Sequence, residues 1–225
     1  MGTSAKTYGP TTTFQNLPEE KRSRLVREAT RLFAEKGYGG ASLNVIVQRA
    51  GISKGSIYQY FENKEALFLY LFDEMERAIR QEVKGRAAGS EPLDFFERFR
   101  EVLRAGVSFL KEYPHFFELY LKILFEDEIP AREELIRRMR LFSAEYFGPA
   151  LEQAKDRGNI RRDLPAASVI FLLDAVIERF LQGCARSYLD SGLGLSRMDE
   201  ESLEREIEIL IGILKRGLLA DDGRA

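Results

Sequence analysis

Apolar residues recur along this chain at every third or fourth position, and no run alternates apolar with polar residues as a half-buried strand would. The pattern predicts an all-α fold. Pro18 suits the first position of a helix, where its missing N–H would lack a partner anyway. From there Leu25, Ala29, Leu32 and Phe33 form one apolar face, Lys21, Arg24, Arg27 and Arg31 lie roughly opposite, and Gly37 is the expected stop. Residues Gly37 to Gly40 read as a tight turn. Ser42 is placed to cap a short helix ending at Ala50, Gly51 to turn the chain, and Ser53 to cap a second short helix ending near Tyr60. Asn63 then caps a long helix from Lys64, in which Leu67, Phe68, Leu71, Phe72, Met75 and Ile79 share helical spacing. Gly85 to Pro92 reads as a connector. Further helices are expected at about 93–112, 114–126, 131–157, 165–189 and 200–219, with prolines at starts and Gly-Asn or Ser-Gly at ends. Gly148-Pro149 should kink or split the third of these.

Three regions follow: a polar, Thr-rich arm over residues 1–16 expected to be flexible, a domain of short helices over 17–63, and a helical body over 64–225. The net charge of −2 conceals an asymmetry. Residues 1–64 hold ten Lys/Arg against five Asp/Glu, or +5, and the remainder holds 34 − 10 = 24 against 36 − 5 = 31, or −7. A basic end on an acidic body is consistent with a polyanion-binding end, although chance gives such a split as readily. No apolar run approaches the ~18 residues of a membrane span. The first residues lack the pattern of a signal peptide, and a single cysteine, Cys184, fits a reducing compartment. A cytoplasmic protein without a membrane partner is expected.

The informative stretch runs from Ser42 to Lys64. Two helices of about two turns, joined at Gly51, are the helix-turn-helix layout. Ile46, Ala50, Ile52, Ile57 and Phe61 supply an inward face. Ser53, Lys54, Gly55, Ser56, Tyr58, Gln59 and Tyr60 are left outward, donors and flat aromatics without a carboxylate. Lys54, Ser56 and Gln59 have the chemistry to reach base edges or phosphates in a major groove. Gly55 would let a duplex backbone come close, and the Tyr58 and Tyr60 hydroxyls suit phosphates. Ser42 and Lys64 lie at helix N-termini, where anions are favoured. By layout alone, the same pattern also fits two structural helices of any helical protein.

From Leu25 to Phe72 the chain resembles the DNA-binding domain of TetR-family (tetracycline-repressor-like) regulators. The landmarks are Ala29, Leu32-Phe33, Gly37-Tyr38, Ser42, Ile46, Ala50-Gly51-Ile52-Ser53, Gly55-Ser56-Ile57-Tyr58, Tyr60-Phe61, Lys64-Glu65 and Leu67-Phe68. Val47 stands where the family usually has Ala, and Tyr60 where His is frequent. The resemblance implies phosphate contacts from Ser42, Tyr58, Tyr60 and Lys64, with Lys54 to Ser56 and Gln59 in or near the groove. It also implies a ligand pocket in the body and a transcriptional repressor released by a small effector. A TetR-fold adaptor that binds protein instead of DNA is the alternative, but an adaptor has no reason to keep the donor-rich face from Lys54 to Lys64.

The body is rich in aromatics. Phe72, Phe99, Phe109, His115, Phe116, Tyr120, Phe142 and Tyr146 are candidates to line a pocket for a hydrophobic or flat effector, although aromatics at helical spacing also serve as plain core. The lone His115 has no second ligand for zinc and no nucleophile to serve, and no metal, cofactor or catalytic set is expected. In the last two helices, Val169, Leu173, Val176 and Phe180, with Leu203, Ile207, Leu210 and Leu214, are candidates for a homodimer seam built as a four-helix bundle. Both helices can equally lie deep in their own subunit. A two-fold dimer would present two recognition helices and predicts a roughly palindromic operator in double-stranded DNA.

Overall fold

The computed structural model describes residues 10–86 and 94–218. Among them every regular element is a helix: α1 (Thr12–Gln15), α2 (Glu19–Gly40), α3 (Leu43–Ala50), α4 (Ser56–Tyr60), α5 (Lys64–Arg86), α6 (Phe95–Glu112), α7 (Pro114–Phe125), α8 (Arg132–Asp156), α9 (Ala166–Ala185) and α10 (Glu200–Leu218). Of the expected connector, Gly85 and Arg86 complete α5, and residues 87–92 lie outside the described residues. The chain divides into two compact units, residues 1–78 with 113–136, and residues 79–112 with 137–225. The compact units divide inside α5, whereas the helix-turn-helix domain is expected to end at 63, and α7 belongs to the first unit.

In the first unit the apolar face of α2 is buried as the spacing predicts, through Leu25, Ala29, Leu32 and Phe33, and α2 packs against α3 and α7. Pro18 stands just before the first helical residue. The helix breaks at Gly37 (φ 69°, ψ 175°), a backbone region open essentially to glycine alone, and one further turn carries it to Gly40. Gly51 ends α3 in the left-handed conformation (φ 66°, ψ 34°) expected of that turn. α4 is shorter than predicted and starts at Ser56. The Ser53 side chain does not cap it; its hydroxyl pairs with that of Ser56 at 2.5 Å.

The expectation of a flexible arm fails from Thr11 onward, while residues 1–9 lie outside the described residues. Thr11 caps α1, and Phe14 is 1% exposed, its ring 4.8 Å from Phe61, 5.3 Å from Tyr70 and 5.9 Å from Tyr60. One aromatic in a polar run carries no periodicity, so the pattern could not announce this contact.

The second unit has one core, formed by Phe95, Phe99 and Leu103 of α6, Phe147 and Leu151 of α8, and the inner faces of α9 and α10. Arg100 pairs with Glu208, and Arg104 with Glu204, tying α6 to α10. Pro149 does not split α8: it costs one backbone hydrogen bond, while Phe147 and Leu151 on either side are fully buried. α9 ends at Ala185, and a 3-10 turn over Ser187–Leu189 takes up the remainder of the predicted helix.

Most of the expected dimer seam belongs to this core. Val169, Leu173, Phe180, Leu203, Ile207 and Leu214 are buried within their own chain, and Val176 and Leu210 pack half-buried against them. Apolar spacing marks the broadest hydrophobic stripe of a helix, and here that stripe serves the subunit itself. The exposed apolar residues are others: Phe171 and Leu172 on α9, Ile209 and Ile213 on α10.

Candidate nucleic-acid interface

Three short elements, α3, the turn at Gly51 and α4, carry the candidate site. Ile46, Val47, Ala50 and Ile57 are buried and hold the motif to its unit. The opposite side is open. Ser42 precedes α3 with its hydroxyl free of any capping bond. Ser53, Lys54, Gly55 and Gln59 are exposed, Ser56 is half-buried, and Tyr58 is 59% exposed. No acidic side chain stands among them. Gly55 has an ordinary helical backbone (φ −73°, ψ −26°), and a Cβ there would meet nothing within 4 Å. Nothing inside the chain demands glycine at this position.

Two expected contacts are placed differently. The Tyr60 ring does not face outward: it is 8% exposed and lies against Phe14. Lys64 is half-buried, and its Nζ donates to the carbonyls of Tyr38 (2.8 Å) and Ala41 (3.3 Å), 4.4 Å from the centre of the Tyr38 ring. It clips the start of α5 to the end of α2, on carbonyls that no helix bond satisfies. A residue's position on a short helix gives its direction only to within a turn, and the sequence holds no sign of a partner 26 residues away.

The basic face of α2 is partly neutralised. Glu35 accepts from Arg31 (2.8 Å) and Arg49 (3.1 Å), and these bonds hold its carboxyl below the ordinary range. The Thr11 hydroxyl donates to the Gln59 carbonyl at 2.6 Å, and the Thr11 N–H to the Tyr60 carbonyl at 3.0 Å. Sequence reading missed both; the only available signal was a threonine able to cap a helix ahead of a lone phenylalanine.

The candidate effector residues fall into two groups. In the first unit Phe72 is fully buried, and His115, Phe116 and Tyr120 are half-buried on α7. In the second, Phe99 and Phe109 are buried, and Phe142 and Tyr146 are half-buried and stacked with ring centres 5.9 Å apart. The Tyr146 hydroxyl and Arg98 Nε are buried close together, and the guanidinium lies 5.7 Å from the tyrosine ring centre. Burial pushes the Tyr146 phenol above its ordinary range, with Arg98 opposing. Burial likewise pushes the Cys184 thiol up to about 12, which suppresses thiolate chemistry. Among the described residues no cluster of His, Cys, Asp and Glu is set to hold a metal ion. No helix there is long and apolar enough to cross a membrane.

A helical scaffold that presents a bare, donor-rich turn and short helix has the layout of a helix-turn-helix DNA-binding regulator. The model of the family described as "Bacterial regulatory proteins, tetR family" matches residues 25–71. A TetR family transcriptional regulator from Chloroflexus aurantiacus J-10-FL is 33% identical, with 95% of this chain and 100% of that one covered and a TM-score of 0.74. The "HTH-type transcriptional repressor AcnR" of Corynebacterium efficiens is 25% identical over 185 residues, 78% of this chain and 88% of that protein. The Escherichia coli K12 protein named "Probable acrEF/envCD operon repressor" is 27% identical over 165 residues, 72% of this chain and 74% of that protein. The chain belongs to the TetR family of transcriptional regulators. Its relatives are DNA-binding regulators and not enzymes.

Proposed function

We propose that the protein is a cytoplasmic repressor that binds a roughly palindromic double-stranded operator as a homodimer, and that a small hydrophobic or aromatic effector releases it. The observation that carries this reading is the face formed by Ser42, Lys54, Gly55, Tyr58 and Gln59, exposed and without a carboxylate. Lys54 and Gln59 supply groups for base edges, with Ser53 and Ser56 beside them. Ser42 and Tyr58 supply hydroxyls for phosphates, and the free third N–H of Lys64 leaves it able to join them. The named repressors among the relatives favour repression over activation.

The exposed apolar pairs, Phe171 with Leu172 and Ile209 with Ile213, are the surface we assign to the dimer, in place of the buried residues named from spacing. For the effector, the stacked Phe142 and Tyr146 give a flat apolar wall. Arg98 beside the Tyr146 hydroxyl gives a buried polar handle, so an aromatic compound bearing one hydrogen-bonding or acidic group is the expected class.

Selection from a random duplex pool tests the reading. The full-length protein should enrich a two-fold symmetric site. Lys54→Ala or Gln59→Ala should shift the preferred base at single positions, by ~1–3 kcal/mol per lost contact, whereas Ser42→Ala or Tyr58→Phe should weaken all sequences alike. Failure to enrich any sequence would discard the repressor and leave the protein-binding adaptor. An effector should weaken operator binding, and the operator should weaken effector binding by the same factor, typically 5–150-fold.

A further inference from the structure

We infer that Thr11 and Phe14 are positioning residues of DNA recognition, setting the direction of α4 from outside the helix-turn-helix. The inference rests on the DNA-binding reading above and adds to it a segment that lies ahead of the family-matched residues 25–71.

α4 has five residues, too few to hold its own geometry. Its placement therefore depends on what grips it. Ile57 fixes its inner side, being 1% exposed. At its start Ser53 and Ser56 pair only with each other, so that end makes no side-chain bond to another element. Its final carbonyls are the kind that a helix leaves unsatisfied. Here the last two, of Gln59 and Tyr60, are each taken by Thr11, one through its hydroxyl at 2.6 Å and one through its backbone N–H at 3.0 Å. The donor comes from 48 residues earlier in the chain. The same segment places the Phe14 ring against both Tyr60 and Phe61, at the point where α4 ends. Thr11 is itself held in place, since its hydroxyl and carbonyl cap the turn that carries Phe14.

Gln59 thus has its carbonyl bonded to Thr11 while its side chain is exposed on the candidate DNA face. Tyr58, one residue earlier, is exposed on the same helix. A tilt of α4 about its buried middle moves these two side chains without unfolding anything. Recognition of base edges needs groups placed within a fraction of an ångström, whereas attraction to phosphates tolerates such a shift. Releasing the grip should therefore cost specific binding more than non-specific binding.

The test uses the full-length protein, its selected site and a random duplex of equal length. Thr11→Val keeps the shape and the backbone N–H but loses the hydroxyl, and Thr11→Ser restores a hydroxyl. Thr11→Val is expected to bind the selected site about 3- to 10-fold more weakly, with the random duplex within two-fold of wild type and the helical signal intact, the unfolding midpoint falling only by the loss of one helix cap; Thr11→Ser should return the affinity. Phe14→Leu should show the same selective loss. Equal weakening on both duplexes, or no change on either, would overturn the positioning role, and so would a Thr11→Ser variant no better than Thr11→Val. A wild-type protein that prefers no sequence would instead remove the DNA-binding reading itself.

Discussion

At position 55, a Cβ has free space in front of it and a backbone that any residue adopts, yet the chain places glycine there. In the isolated protein, replacing it with alanine should do no harm. Fewer unfolded conformations should in fact stabilise Gly55→Ala by about 0.4–1 kcal/mol, read as a higher midpoint in urea. On DNA the added methyl group should stand where the duplex backbone comes close, weakening operator binding about 10-fold, or about 1.4 kcal/mol. Opposite signs for folding and binding are the signature of a residue kept small for a partner; a variant less stable but unimpaired on DNA would remove that role. The chemistry of this face was legible in the sequence because exposed donors on a short helix need only the right residue types. The burial of Tyr60 and the clip made by Lys64 were not, since each depends on a partner far along the chain, Phe14 in one case and the Tyr38 carbonyl in the other.

Helix positions were readable wherever an apolar stripe met a cap or a breaker, as in α2, α3 and α6 to α10. The division of labour between the faces of a helix was not, because spacing alone does not say whether a stripe meets its own subunit or another. The last turn of α2 shows how two nearby glycines differ. A Cβ on Gly37 would lie 2.5 and 2.7 Å from the carboxylate oxygens of Glu126, and its backbone conformation excludes other residues. A Cβ on Gly39 would lie 2.6 Å from one oxygen of Glu128, the movable end of an exposed side chain. Gly37→Ala should therefore destabilise the protein by ~1–3 kcal/mol through its backbone. Gly39→Ala should stay within ~0.5 kcal/mol, the range of ordinary surface changes. Urea titrations of the two variants separate the cases, and equal losses would mean that crowding by the acidic loop, and not backbone conformation, sets the need for glycine. Glu126 also pairs with Lys122 at 2.8 Å, which steadies its carboxylate over Gly37.

For the whole molecule, the proposed dimer rests on the exposed faces of α9 and α10. Phe171 is 74% exposed and Ile213 60%, whereas Leu214, the next residue on α10, is 7% exposed. Phe171→Glu or Ile213→Glu should give a folded monomer with its helical signal intact and its operator affinity reduced by well over 10-fold, since one half-site is lost. Leu214→Asp should unfold the chain instead, because it places a charge in the core. Sedimentation with circular dichroism distinguishes the two; a folded Leu214→Asp monomer would return the interface to the stripe first named from spacing. The chain passes from one compact unit to the other three times. Two of these crossings fall within continuous helix, in α5 between residues 78 and 79 and in α8 between residues 136 and 137, and the third falls between α6 and α7, between residues 112 and 113. A graft of the second unit onto a relative's helix-turn-helix must therefore be spliced twice through continuous helix, where one residue gained or lost turns all that follows by about 100°. Exchanging parts among such regulators is a matter of phase before it is a matter of sequence.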